Sequence, residues 1–380
     1  MPENFFPSNP SFKGYEKIKD HPAMAFASGG ERGLIEVNSY GKRPNRWSMH
    51  DSVLNNMAPQ HVNKNGVPIH NESKPETHQY ITLKHFKSPN PNSFPKNPTD
   101  FYRESKEVAS WHNSIFKLGG IRDEPTIPTL DKDLSELGRN NTIDYKRKFL
   151  GADLYLDHQN HKPMTAELLE DISPCIQYCN EAPSEKSKII ISPRHHIVDL
   201  IMSFFHDDGF SIVCTHFDNG KLLFSFDSSR KPSRVNKNDV MLKKIMYSGI
   251  ALERELTHKN SLPYFSIVEA SVDSDTGILL RCEMDAINEL KDTYTELKCF
   301  GKLNFNNIHH RRKMLKTWVQ ISLIPQSDLI VGLRDQGGIL RDLLHFSRKD
   351  LYADLSNPSL PRNRRYGNFN PNIAVAWFHH

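Results

Sequence analysis

Glu283, Asp285, Glu296 and Lys298 fall within one short stretch, CEMDAINELKDTYTELKCF, which runs from Cys282 to Phe300. Their immediate neighbours include Cys282, Met284, Ala286, Leu297 and Cys299. Side chains alternate faces along a strand. On that pattern Arg281, Glu283 and Asp285 share one face, and Leu280, Cys282, Met284 and Ala286 share a core face. On the following strand Tyr294, Glu296, Lys298 and Phe300 share a face, with Thr295, Leu297 and Cys299 opposite. A hairpin loop of about five residues between the two strands would bring the polar faces side by side.

Carboxylates held together repel and call for a cation. Mg²⁺ or Mn²⁺ is the simplest choice, because hard divalent ions take oxygen ligands from carboxylates, waters and substrate phosphates. A neighbouring lysine would orient or deprotonate an attacking water, or neutralise charge developing on a phosphate. Paired metals would clamp the attacking and leaving oxygens of a phosphodiester. The same alternation also fits an exposed hairpin of solvated charges, in which Arg281 and Lys298 are salt-bridge partners.

The elements around this stretch supply further candidates. KIIIS, Lys188–Ser192, is a short apolar run, followed by the helix PRHHIVDLIMSFF with Ser192 as its cap and Pro193 as its first residue. That helix places Arg194 in its first turn, where backbone N–H groups and a guanidinium both favour a phosphate. An exposed first-turn arginine fits equally. FSIVCTHF and KLLFSFD read as a hairpin around Asp218-Asn219-Gly220. DVMLKKIMYSGIALERELT reads as an amphipathic helix, broken or opened near Gly249. Glu253 on that helix also fits a surface glutamate. YFSIVEASVDS, GILLRCEMDAIN, TYTELKCF and DLIVGLRD read as strands, and TAELLEDISPCIQYC as a short helix, a loop and more helix. In the helix HHRRKMLKTWVQISLI, His309, Lys313, Lys316 and Gln320 share one stripe at ~100° per residue. The opposite arc, Met314, Leu315, Trp318, Val319 and Ile321, reads as core, with Arg311 as the exception. The stripe would track a phosphate backbone or form a solvated basic face. Strands and helices interleaved in this way predict an α+β (mixed α/β) domain.

Several stretches in order resemble the DXO-type decapping exoribonucleases of eukaryotes, the fungal members above all. PRHHIVDL is similar to that family's arginine motif, at Arg194. YSGIALERE is similar to its Gly-x-x-x-Glu motif, at Gly249 and Glu253. RCEMDA carries Glu283 and Asp285 in a Glu-hydrophobic-Asp pattern, and TELKCF carries Glu296, Leu297 and Lys298. HRRKMLKTWVQ resembles the helix bearing the family's glutamine, here Gln320, and GLRD, near Arg334, is similar to fungal members. The resemblance covers about Phe101 to the C-terminus. It implies two β-sheets flanked by helices, with a cleft between the sheets as the active site. It implies that Glu253, Glu283, Asp285 and Glu296, with the Leu297 carbonyl, hold two divalent cations, Mg²⁺ or Mn²⁺. Lys298 and Gln320 would contact the scissile phosphate or the attacking water, and Arg194 would hold RNA phosphates. The implied reaction is hydrolysis at an RNA 5′ end, releasing an incomplete cap or intact NAD, with 5′–3′ exoribonuclease activity. NAD would then be part of a substrate. A 5′–3′ exoribonuclease is the implied protein partner, and a stabilising subunit with little activity is the alternative role. A DNA-directed nuclease would use the same residues.

Bulk properties agree with such a protein. The chain has 380 residues, 25% of them charged, and a formal net charge of +4, which permits a polyanionic partner without demanding one. Five cysteines without a zinc-type CxxC pair suit a reducing compartment, nuclear or cytoplasmic. No apolar run of ~18 residues is present, so no membrane span is expected. MPENFFPSNP lacks the basic and apolar regions of a secretory signal, and KRPNR, Lys42–Arg46, is too short to assign a compartment. Residues 1–75 are rich in Asn, Pro, Ser, His and Gly, and their composition predicts disorder. Residues 76–100, with SPNPNSFPKNP at Ser88–Pro98, read as an extended lead-in, and 101–380 as one catalytic domain. The resemblance further implies a helix that continues beyond the final NIAVAWFHH.

Overall fold

The computed structural model describes residues 32–38, 80–87, 100–102, 104–112, 115–118, 128–138, 146–160, 171–182, 184–205, 210–218, 220–226, 240–258, 263–361 and 369–379. Strands β1 (Arg32–Asn38), β2 (Tyr80–Lys87), β3 (Glu104–His112), β4 (Ile115–Leu118) and β5 (Thr129–Leu130) precede helices α1 (Lys132–Ser135) and α2 (Ser173–Glu181). Then come β6 (Lys188–Pro193), α3 (Arg194–Met202), β7 (Phe210–Asp218), β8 (Lys221–Phe226), α4 (Val240–Leu256) and β9 (Thr257–His258). β10 (Tyr264–Ser271), β11 (Thr276–Met284), β12 (Ala286–Asn288) and β13 (Thr293–Phe300) follow. The described chain ends with α5 (Ile308–Ser322), β14 (Ser327–Arg334), β15 (Leu340–Ser347), α6 (Arg348–Ser356) and α7 (Pro371–His379).

These strands form two mixed sheets. One has nine strands in the order β2-β1-β7-β8-β6-β11-β10-β3-β4, the other six in the order β15-β14-β13-β12-β5-β9. The largest apolar cluster lies where the sheets face the helices. Ile278, Leu280, Cys282 and Met284 from β11 meet Ile197, Val198 and Ile201 of α3 and Met314, Leu315, Trp318 and Val319 of α5. Alternation explains β11, since every second side chain enters this cluster. A 3.6-residue period explains α5, where the arc read as core is the buried face. Arg311, the exception in that arc, is buried and donates from Nη2 to the Pro361 carbonyl at 2.7 Å. A second cluster joins Leu252 and Leu256 of α4 to Leu297, Ile330 and Leu343. A carboxylate also ties the sheets: Glu107 of β3 accepts from the Tyr264 and Tyr294 hydroxyls at 3.1 and 2.8 Å.

The structure departs from the sequence reading in several places. GILLRCEMDAIN is not one strand. It divides at Asp285, with β11 pairing β10 and β6 in the larger sheet and β12 pairing β13 and β5 in the smaller. The expected hairpin therefore spans only Ala286–Asn288 against Thr293–Thr295. Ser192 and Pro193 do not open a helix. Pairing of β6 with β11 runs through Pro193, so Pro193 is the cap and Arg194 the first helical residue. α3 ends at Met202 and a 3₁₀ turn continues to Phe205. α4 is unbroken at Gly249. β1 and β2 fall within the segments read as disordered and as an extended lead-in, and they pair with each other, β1 also with β7. SPNPNSFPKNP, KRPNR, the N-terminal decapeptide, Thr165 and Asn219 lie outside the described residues. Among the described residues no helix is long and apolar enough to cross a membrane.

Gly332 of β14 decides how closely α4 approaches the smaller sheet. A Cβ there would lie 2.7 and 2.8 Å from the two methyls of Leu252 and 3.2 Å from Leu340. All three residues sit in the dry interior, where an added methyl must be absorbed by displacement. Gly332→Ala is expected to lower unfolding stability by about 1–3 kcal/mol, measured as a lower urea midpoint. An unchanged midpoint would mean that α4 is not seated on β14 in this way.

Candidate active site

The division of the chain at Asp285 builds the site. β11 carries Glu283 in the larger sheet, β13 carries Glu296 and Lys298 in the smaller, and Asp285 lies at the crossing. β12 begins at Ala286, opposite Thr295, so among the described residues β13 has no strand partner on that side from Glu296 onward. The Asp285 carboxylate fills part of the gap, accepting the Leu297 N–H at 2.8 Å. The N–H and C=O of a strand residue point to the same side. The Leu297 carbonyl therefore faces this open edge, while its side chain is buried in the second apolar cluster.

Arg194 comes from the end of β6. Parallel pairing sets Pro193 beside Arg281, so the next residue reaches the crossing. Its Nη1 lies 3.0 Å from the Glu296 carboxylate, and Nη2 donates to the Glu283 carbonyl at 3.3 Å. Nη1 also donates to the Gln320 carbonyl at 3.5 Å, which draws the last turns of α5 into the group. Lys298 Nζ lies 2.5 Å from the other Glu296 oxygen and 3.7 Å from Asp285. The Lys298 side chain is 28% exposed, so the group opens to solvent on that side.

These contacts separate the acids electrostatically. Burial alone would raise the Glu296 carboxyl, but Arg194 and Lys298 override it and hold it at about 2. Burial pushes Asp285 well above the usual carboxylate range. The Glu296 charge pushes further and Glu253 adds to it, against Lys298 and the Leu297 N–H. Burial also raises Glu283, opposed first by Arg194. Lys298 is raised despite its burial, by Glu296 and Asp285.

Glu253 is carried toward the crossing by Leu252 and Leu256, which anchor α4 in the second cluster. Gly249 lies one turn earlier on the same helix, and a Cβ there would meet nothing within 4 Å. Among the described residues no neighbouring group requires that glycine. Arg334 is buried away from the acids, where it donates to the Ser248 hydroxyl at 3.2 Å and lies over the Tyr155 ring. Arg281 stacks its guanidinium 4.3 Å above the Phe265 ring, and its charge helps Arg194 oppose the rise of the Glu283 carboxyl.

The donor set has the chemistry of a hard-cation site: carboxylates and a backbone carbonyl, with no thiolate or imidazole. As arranged here the acids do not yet form a cage, and among the described residues no three acidic, His or Cys side chains stand in metal-ligand positions. The reason is visible at Glu296, whose two oxygens already face Arg194 and Lys298. The residue types fit a divalent cation; Glu296 would ligate one with its remaining lone pairs or in exchange for one of these partners. A separate apolar cavity of about 360 Å³, lined by Leu303, Phe305, Leu344, Phe346 and Leu360 with Asp354, contains none of these acids. Chemistry, not cavity size, marks the site.

Known proteins share this arrangement of elements. A structure of K. lactis Dxo1 in complex with manganese superposes with a TM-score of 0.62 at 28% identity, covering 78% of this chain and 84% of that one. Candida albicans Rai1 in complex with pU5-Mn²⁺ gives a TM-score of 0.60 over 77% and 84% of the two chains, and at 18% identity that likeness speaks for the fold. The decapping and exoribonuclease protein 1 of Saccharomyces cerevisiae is 37% identical over 316 residues, 76% of this chain and 71% of that protein. The model of the RAI1-like PD-(D/E)XK nucleases matches residues 140–380, a span holding every candidate acid. The chain belongs to the RAI1-like PD-(D/E)XK nuclease family.

Proposed function

We propose that the chain is a metal-dependent RNA 5′-end decapping nuclease with 5′–3′ exoribonuclease activity. One observation carries the reading. Glu283, Asp285, Glu296, Lys298 and Arg194 meet where the two sheets part, in a chain 37% identical to a decapping and exoribonuclease protein. Its substrates are RNA 5′ ends bearing an incomplete cap or NAD. Water forms the new bond to phosphorus, and the bond to the 3′ oxygen of the first nucleotide breaks. The phosphate stays on the downstream RNA.

In this reading Glu253, Glu283, Asp285, Glu296 and the Leu297 carbonyl hold two divalent cations, Mg²⁺ or Mn²⁺. Bound there, the ions would polarise the phosphoryl oxygen and activate the attacking water. Lys298 and Gln320 position that water and the scissile phosphate. Arg194 neutralises charge on the phosphate while keeping its place against the Glu283 carbonyl. Gly249 leaves room for the substrate backbone beside α4.

Hydrolysis of 5′-labelled RNA carrying an unmethylated cap, an NAD cap, a triphosphate or a monophosphate tests this directly. Release of intact cap or NAD is expected with Mg²⁺ or Mn²⁺ and is expected to stop in EDTA. Glu283→Gln and Asp285→Asn should each lower kcat by roughly 10²-fold or more; full activity in both would remove these acids from the reaction. Matched DNA ends should compete poorly, because selecting RNA requires reading the 2′-hydroxyl. Inactivity of the wild-type protein on every end, together with capture of a 5′–3′ exoribonuclease, would favour the stabilising-subunit role.

Gly249 separates a substrate path from a structural need. Alanine is favoured over glycine inside a helix by about 1 kcal/mol, and among the described residues the added methyl meets no packing neighbour within 4 Å. Gly249→Ala is therefore expected to raise the melting temperature and lower kcat/KM together. Unchanged turnover would show that substrate does not pass close to α4.

A further inference from the structure

β13 and α5 run antiparallel away from the acids. At one end the Gln320 carbonyl and Glu296 are both held by Arg194. At the other, Lys313 Nζ lies 5.8 Å above the Phe300 ring. Phe300 is on the same face of β13 as Glu296 and Lys298, about 6.6 Å beyond Lys298 at the rise of a strand. Lys313 is on the same stripe of α5 as Gln320, two turns away and about 10.5 Å along the axis. The result is a ledge leading out from the acids, with an aromatic face as floor and a cation on its wall.

The charges along this stripe are not equivalent. Lys316 is paired with Asp199 at 2.7 Å and so is tied to α3. Lys313 is exposed and has no carboxylate partner among the described residues; its ammonium rests over Phe300 instead. Phe300 is only partly buried, packed on the edge of the main apolar cluster. A partly open aromatic ring next to an uncommitted cation is the pairing that single-stranded nucleic acids use, the ring for a base and the cation for a phosphate.

We infer that Phe300 and Lys313 form a subsite for the nucleotide just downstream of the scissile phosphate in single-stranded RNA. In the free protein the ammonium covers the ring. An arriving base takes its place on the ring, and the displaced ammonium meets the phosphate of that nucleotide. The subsite is indifferent to base identity, because every base offers a face to stack. It fixes the register of the strand, so the phosphate next to Lys298 is the one presented to the acids. This inference rests on the nuclease reading of the same site.

The test compares two RNAs that differ in one feature, an ordinary or an abasic nucleotide immediately after the scissile phosphate. Phe300→Leu is expected to raise KM about tenfold on the ordinary RNA with little change in kcat. The abasic RNA should bind the wild-type protein as weakly as the variant binds ordinary RNA, with no further loss on combining the two. Phe300→Tyr should restore KM. Lys313→Gln, at an exposed position that cannot unfold the domain, should reduce the slope of log affinity against log salt by about 0.7. Variants that treat both RNAs as the wild-type protein does would overturn the subsite while leaving nuclease activity intact. Absence of wild-type turnover would count against the nuclease reading instead. Anisotropy of the labelled RNAs then decides the subsite alone, and equal affinities for wild type and both variants would overturn it.

Discussion

Arg194 and Glu296 meet at 3.0 Å with both side chains almost removed from water. Each charge loses hydration there, and each offsets that loss for the other, with Lys298 adding to the support of Glu296. The pair joins the end of β6 in the larger sheet to β13 in the smaller, across the seam where the chain itself changes sheets. The remaining contacts are arranged around this requirement. The second Arg194 nitrogen takes the Glu283 carbonyl, Lys298 takes the second Glu296 oxygen, and Asp285 takes the Leu297 N–H. A site built this way keeps its charges in register because moving any one of them would cost several neighbours a contact at once.

The apolar packing delivers these groups from separate parts of the chain. β6 and β11 are parallel neighbours, which brings Arg194 to the crossing. α4 is drawn onto the smaller sheet by Leu252 and Leu256, and the bare Cα of Gly332 permits that approach. α5 buries Trp318 and Val319, which fixes the rotation of the helix and turns Lys313 and Gln320 outward. These packing residues carry no charge of their own, yet each helps set where an acid or a cation stands.

Much of this was legible in the residues. The alternation around Glu296, the antiparallel pairing of FSIVCTHF with KLLFSFD and the two-faced helix bearing Trp318 all match the elements that their patterns predict. The switch of sheets at Asp285 was not legible, because alternation of apolar residues passes through Met284, Asp285 and Ala286 without a break. Pairing partners decide it, and these lie far away in sequence. Helix chemistry misled at Ser192-Pro193 for the same reason: a parallel strand partner extends β6 past a favourable cap. Glu253 gives no local signal, since one acid on an amphipathic helix looks like any surface acid. Only the family resemblance singled it out. Lys313 and Phe300 were each visible in a periodic pattern, but their contact depends on the antiparallel alignment of a strand and a helix.

The open edge of β13 has a consequence for how this site can be probed. If the Leu297 carbonyl is a metal ligand, it belongs to a peptide group that every amino acid supplies. Replacing Leu297 would report on the apolar cluster holding its side chain and would leave the oxygen in place. Side-chain scanning is therefore blind to one member of the ligand set, and residue variation at 297 follows core volume, not chemistry. An amide-to-ester exchange at the 297–298 linkage would weaken that oxygen as a donor while leaving every side chain unchanged.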